Sequence, residues 1–188
     1  MPLRTRRLLI RAPQPGDGAM IQAAIQESFA EIRPWLPWAD KIPTPEESEA
    51  RVRKNVASWV LREDLPLYIM SADGSEFIGG SGLHRMNWAV PKFEIGYWIR
   101  TSRLGQGFIT ETVAALTQYA FRALKARRVE IRCDPDNERS AAIPKKLGFD
   151  LEGRLRFDSV TPHSGRPRDT LVYARITENG LPDVSASW

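Results

Sequence analysis

The stretch Leu104-Gly105-Gln106-Gly107-Phe108-Ile109-Thr110-Glu111 carries the residues best suited to hold an anion. Glycines let a backbone turn tightly and approach a ligand closely. The first N–H groups of a helix have no internal partner, and the helix dipole is positive at that end. A glycine-rich turn that opens a helix is therefore a binding place for anions, most naturally phosphate. Arg100 and Arg103 add positive charge at its mouth. A Walker loop is excluded, because Phe108 and Ile109 stand where it needs Lys and then Ser or Thr. The dinucleotide fingerprint is excluded too, because Thr110 stands where its third glycine would be. Taken alone, the turn reads equally as a plain connection that binds nothing. Two groups elsewhere could move a proton. Glu94 lies on the less apolar face of a strand, and His84 follows another strand, where it reads as a base or as a structural histidine.

The elements around these residues follow from periodicity. Phe93 to Arg100 alternates, with Phe93, Ile95, Tyr97 and Ile99 on one face and Glu94, Gly96, Trp98 and Arg100 on the other. This strand leads into the glycine turn, and Gly96 marks a bulge or a close backbone approach. Ile109, Val113, Leu116, Ala120 and Leu124 put one apolar face on the helix that leaves the turn. Upstream, Thr5 to Arg11 reads as a strand. Asp17 is placed to cap a helix from Gly18, which Arg33-Pro34-Trp35-Leu36-Pro37-Trp38 breaks. Trp35 and Trp38 read as a pocket wall, a dimer contact or a loop plugged into the core. Thr44-Pro45-Glu46-Glu47 starts a second helix with a capping box. Leu67 to Ala72 and Phe77 to Leu83 form a hairpin about Asp73-Gly74.

Downstream, Arg128 to Cys133 alternates as a strand. Asn137 caps a short helix stopped at Gly148, with Pro144 inside it predicting a kink. Phe149 to Arg156 and Thr170 to Arg175 complete the strands. The fold class is α+β around a mostly antiparallel sheet, in one domain over 1–178 with a tail over 179–188.

Composition bounds the function. The 188 residues suffice for one sizeable core, with 42% apolar and 27% charged residues. A net charge of +4 suits a phosphate-bearing ligand, and the basic residues form no run that argues for nucleic acid. One cysteine, Cys133, and two distant histidines offer no disulfide and no metal set, which points to a cytoplasmic setting. No apolar run reaches membrane-spanning length, and the N-terminus lacks the apolar core of a signal peptide.

Asn137-x-x-Ser140 and Lys146-Leu147-Gly148-Phe149, one strand after a Gly-x-Gly-x-x-Thr-Glu turn, resemble the GNAT acetyltransferase superfamily. Thr5-x-Arg7-Leu8-x-x-Arg11 with Asp17, Trp35-Leu36-Pro37-Trp38, Glu94-Ile95-Gly96-Tyr97-Trp98-Ile99, and Glu152-Gly153 through Asp169 narrow the resemblance to the RimJ/RimL type, which acetylates ribosomal-protein N-termini. The resemblance implies a sheet with a splayed central strand pair and an acetyl-coenzyme A site. Leu104 to Ile109 would wrap the pyrophosphate, and Trp98, Ile99 and Arg100 would run beside the pantetheine arm. Thr110, Arg103, Asn137, Ser140 and Lys146 complete the implied set. A backbone N–H near Tyr97 or Trp98 would polarise the acetyl carbonyl.

Departures stand at Leu104, where Gln or Arg is usual, at Ile109, where Gly or Ala is usual, and at Pro144, where many members carry a tyrosine acid. The resemblance passes the acid role to Ser140. Its hydroxyl could instead support the Asn137 cap.

The implied reaction is direct acetyl transfer to a primary amine, on a protein N-terminus or a small molecule. Glu94 is the first candidate to accept the amine proton and His84 the second. Trp35, Trp38 and His84 are the expected substrate contacts, no metal is required, and a homodimer is a family expectation. The rivals are a silent acyl-coenzyme A binding module and a ribosome- or RNA-binding domain.

Overall fold

The protein is described by a computed structural model over residues 2–188. Its elements are β1 (Leu3–Arg4), β2 (Leu8–Arg11), α1 (Gly18–Ile32), α2 (Pro45–Leu61), β3 (Leu65–Ser71), β4 (Phe77–Asn87), β5 (Lys92–Ile99), α3 (Phe108–Arg122), β6 (Arg128–Cys133), α4 (Glu138–Lys146), β7 (Asp150–Val160) and β8 (Pro167–Arg175). The strands form one eight-stranded sheet in the order β1-β2-β3-β4-β5-β6-β8-β7. Neighbours are antiparallel except β5 and β6, which run parallel and pair only at Lys92↔Arg128, Phe93↔Val129 and Glu94↔Glu130. Beyond Glu94 the two strands part, so the expected α+β fold with a splayed central pair is present.

Strand alternation sorts the core into two layers. On one face, Ile109, Val113, Leu116 and Ala120 of α3 pack on Leu8, Ile10, Phe93, Ile95, Val129 and Ile131. Full burial of each Val, Leu, Ile or Phe side chain among these contributes about 1.5–3 kcal/mol. On the other face, Ile21, Ala24, Ile25 and Ile32 of α1 and Val52 of α2 pack on Tyr68, Met70 and Phe77.

The capping box of α2 is formed: the Thr44 side chain accepts from the Glu47 N–H, and the Glu47 side chain accepts from the Thr44 N–H. The helix α1 differs from expectation. Asp17 sits at its N-cap without a capping bond, because its carboxylate is held by the two terminal guanidinium nitrogens of Arg11 and by the Gln14 N–H. Glu49 of α2 accepts from the Gly18 N–H instead. A Cβ on Gly18 would lie 2.7 Å from the Glu49 backbone, so glycine is what lets the two helices meet here.

The first strand is shorter than Thr5 to Arg11. The Thr5 hydroxyl accepts from the Leu8 N–H and donates to Glu111, which folds the chain into a tight turn between β1 and β2. The strand β4 runs past Leu83 to Asn87, which places His84 inside the sheet. The segment after β8 folds back. Arg4 and Ser187 exchange backbone hydrogen bonds at 2.8 and 2.9 Å, and Leu181, Val184 and Ala186 pack on the core.

Candidate active site

The parting of β5 from β6 opens a gap beside the second half of β5. Arg100 and Ile78 form a hydrogen-bonded pair at 2.9 Å on the β4 side. Alternation then turns the N–H and C=O of Tyr97 and Ile99 toward the gap, where β6 has withdrawn. This selects Tyr97 over Trp98 as the backbone group that faces it.

The glycine turn closes one end of the gap. Gly105 and Gly107 hold φ of +74 and +78, the left-handed region that glycine enters without strain. Gly107 is the N-cap of α3 and offers no capping side chain. Among the described residues, no group accepts from the N–H groups of Gly105, Gln106, Gly107, Phe108, Ile109 or Thr110. These unpaired donors and the positive helix end form an anion cradle. Glu111, in the first turn of α3, would oppose an anion there, but Thr5 and Arg7 hold its carboxylate. Arg7 also donates to the Gln106 carbonyl at 3.0 Å and so braces the loop. The arginines expected at the mouth are engaged elsewhere. Arg103 pairs with Glu76 at 2.5 Å, and Arg100 bonds Glu27, whose carboxyl it pulls down to about 2. The backbone thus supplies the anion contacts that the sequence shared with these side chains.

At the other end of the gap, Pro144 lies inside α4 and removes the N–H that would bond the Ser140 carbonyl. The Tyr97 hydroxyl donates to that carbonyl at 2.9 Å. The helix continues through Pro144, and the freed acceptor is satisfied from β5. The Ser140 hydroxyl in turn donates to the Tyr97 oxygen at 3.3 Å. Capping of α4 falls to Asn137, whose side chain accepts from the Ser140 N–H at 3.0 Å. The Ser140 hydroxyl is therefore not spent on the cap. Burial pushes the Tyr97 phenol well up, so it stays protonated, and pushes the Cys133 thiol, beside Ser140, up to about 11. Lys146, in the last turn of α4, is exposed.

On the α1/α2 face, Glu94 and His84 are cross-strand partners. Glu94 is largely buried. Its Oε2 has no hydrogen-bond partner and lies 3.5 Å from Arg85 Nε. Burial holds its carboxyl above the ordinary value of 4.5. The unfolded chain would ionise at that ordinary value, so the folded state binds more protons in between, and stability falls as pH rises through the window. Glu94→Gln is expected to raise stability at pH 8 by about 1 kcal/mol and to lose that gain near pH 4, read from denaturant midpoints. An equal midpoint shift at both pH values would rule the titration out.

Trp38 meets Trp98 edge-on at 5.7 Å and packs into the second core layer, while Trp35 lies partly exposed in the connecting segment. His163, which no local pattern singles out, brings the β7–β8 loop to this segment through Nε2 and the Arg33 carbonyl at 3.1 Å. Beyond the gap, Arg128, Glu130 and Arg132 of β6 stay partly exposed on the same face.

Residues 7–150 match the family model for the acetyltransferase (GNAT) domain. The chain belongs to the GNAT acetyltransferase family. This acetyltransferase is 31% identical to the putative ribosomal N-acetyltransferase YdaF of Bacillus subtilis, over 90% of this chain and 91% of that protein. It is also 31% identical to the ribosomal-protein-serine acetyltransferase of Escherichia coli, over 77% of this chain and 81% of that one. Among solved structures it resembles RimL, a ribosomal L7/L12 alpha-N-protein acetyltransferase in complex with coenzyme A, with a TM-score of 0.83 and 26% identity over 93% and 96% of the two chains. The GNAT enzyme transfers an acetyl group from acetyl-coenzyme A to an amine. Its own residues fit that co-substrate: the unpaired donors from Gly105 to Thr110 suit a pyrophosphate, and the open edge at Tyr97 and Ile99 suits an amide-bearing arm. No helix of the described residues is long and apolar enough to cross a membrane.

Proposed function

We propose that this acetyltransferase modifies the α-amine of a protein N-terminus, in the cytoplasm, with ribosomal proteins as the acceptor class. The observation that carries the reading is the likeness to the two ribosomal-protein acetyltransferases over most of both chains. The fold supports it. The helices α1 and α2 lie over β3 and β4, while the adjoining face at β6 presents Arg128, Glu130 and Arg132, polar side chains beside which an extended peptide can lie.

Bound acetyl-coenzyme A supplies the acetyl group as a thioester, an activated acyl donor. The chain's residues do the rest. The turn from Leu104 to Thr110 holds the pyrophosphate through its N–H groups, with Arg7 bracing Gln106. The Tyr97 N–H faces the gap as the donor for the acetyl oxygen. Ser140 Oγ gives a proton to the departing sulfur. The acceptor amine, with an ordinary pKa of about 7.7–8, must lose a proton before it attacks. That proton leaves on the α1/α2 face, where Glu94 and His84 stand as register partners. Holding both reactants in one cleft supplies much of the rate.

The test begins with thermal unfolding in acetyl-coenzyme A, with ATP and NAD as controls. Ligand at about 100 times its Kd adds roughly 2.7 kcal/mol, which moves the midpoint by several degrees. Thiol release is then followed with peptides bearing free N-terminal serine or alanine, and with polyamines, amino acids and aminoglycosides. The expected result is a shift with acetyl-coenzyme A alone and release driven by the peptides. Release with small amines only would move the acceptor class away from proteins. A shift without release from any amine would favour a silent binding module.

A further inference from the structure

We infer that Asp64 and His84 form a dyad that takes the proton from the acceptor amine, with His84 Nε2 as the base and Asp64 as its positioning residue. This rests on the acetyl-transfer reading above. His84 Nδ1 lies 2.7 Å from Asp64 Oδ1. A carboxylate only accepts, so the proton of the neutral imidazole sits on Nδ1 and the lone pair is left on Nε2.

The ring's seat fixes where that lone pair lies. Gly82 of β4 and Gly96 of β5 are cross-strand partners. A Cβ on Gly82 would stand 2.6 Å from His84 Nε2, and one on Gly96 would stand 3.3 Å from it. The imidazole therefore lies down on a floor made by two glycines. Its free nitrogen is carried to Gly96, the residue before Tyr97, whose N–H faces the gap. A side chain at Gly82 would clash with the ring and lift it away.

Stability alone does not account for this arrangement. The His84 and Asp64 side chains are 31% and 40% exposed, and pairs of that kind contribute about 0–1 kcal/mol. Glycine inside a strand costs about 0.5–1 kcal/mol relative to alanine, and this floor needs two. The same exposure suits a base that must hand its proton to water. The charged groups that meet the ring are Asp64 before β3, bonded to Nδ1, and Glu94, its cross-strand partner; Arg85 and, from β6, Arg132 and Glu130 act on Glu94. Glu94 Oε2 is almost wholly out of solvent, whereas the His84 ring that carries Nε2 is partly exposed.

The protons balance. An ammonium loses two protons in becoming an amide N–H. One leaves through Nε2 to solvent before the nitrogen attacks, and the other leaves the nitrogen once the C–N bond has formed. That second proton, passed on through solvent, restores the one Ser140 gives to the thiolate when the C–S bond breaks.

The experiment combines nitrogen-15 NMR of the His84 ring with steady-state transfer to an N-terminal peptide, in wild type, Asp64→Asn, Asp64→Glu and His84→Gln. The wild-type ring is expected to be the Nδ1–H tautomer, and Asp64→Asn to lose that preference. His84→Gln should lower kcat about a hundredfold and Asp64→Asn about tenfold, with Asp64→Glu recovering part of the loss. The KM for acetyl-coenzyme A should stay within about threefold in all of them. If wild type transfers and His84→Gln keeps kcat within about twofold, the dyad is overturned while the acetyltransferase reading stands. If Glu94→Gln abolishes transfer and His84→Gln does not, the base is Glu94. If acetyl-coenzyme A stabilises wild type but no amine is acetylated, the functional reading fails first and the dyad falls with it.

Discussion

Ser140→Ala is expected to lower kcat by roughly two to three orders of magnitude, the usual range for loss of a general acid. The Kd for acetyl-coenzyme A should change by less than about threefold. The structure separates the two roles this residue could play. Its N–H is what Asn137 caps, and that contact survives the substitution. Its hydroxyl touches Tyr97 and faces Cys133, and only that contact is lost. Stability should therefore fall little while turnover falls steeply. Steady-state thiol release with a peptide acceptor, alongside calorimetric titration of acetyl-coenzyme A, gives both numbers. Turnover within twofold of wild type would leave the hydroxyl without a part in the reaction. Tyr97→Phe is a harsher change. It removes the donor to the Ser140 carbonyl, which Pro144 has left without a helical partner.

Arg175→Leu should be strongly destabilising although it lies outside the site. Arg175, at the end of β8, is 7% exposed. It donates to the carbonyls of Leu147, Thr177 and Asn179 and lies over the Phe149 ring. Burial pulls its guanidinium down from the ordinary value, yet three carbonyls hold the charge in place without a carboxylate in contact. Leucine fills part of the space and leaves the buried carbonyl at the end of α4 unsatisfied. The expected loss is about 3 kcal/mol, since hydrogen bonds to charged groups are worth about 1.5–3 kcal/mol and their orphaned partners add to the cost. At roughly 2–4 °C per kcal/mol for a chain of this size, Tm should drop by about 6–12 °C. A drop of less than 2 °C would mean that water replaces the guanidinium.

What the sequence made legible was local. The left-handed glycines at Gly105 and Gly107, the period of α3, the Thr44 capping box and the limits of β6 each follow from a few adjacent residues. The stop of α4 does too. Gly148 holds φ of +67, and the Phe149 N–H returns to the Pro144 carbonyl at 2.9 Å. What stayed hidden was the choice of partner across the chain. Asp17 had the right type and place for a cap, but Arg11 holds its carboxylate. Arg100 and Arg103 stood at the mouth of the turn, but Glu27 and Glu76 engage them. Asp64 had no signal, because its meaning depends on a histidine brought to it by strand pairing. A charge can be read from a sequence, but which opposite charge neutralises it depends on the fold.

The short seam between β5 and β6 also bears on how the molecule opens. Three register pairs join the β1–β5 half of the sheet to the β6–β8 half, whereas β4 and β5 pair along most of their length. Local unfolding follows lines of sparse contact. Native-state hydrogen exchange should therefore divide the sheet there, with amides of β6, β8 and β7 exchanging as one cooperative unit and those of β2 to β5 as another. A molecule seated between the halves would act as a removable ninth strand. Its arrival would fuse the two exchange units into one, so occupancy could be read far from the cleft, in the protection of strands it never touches.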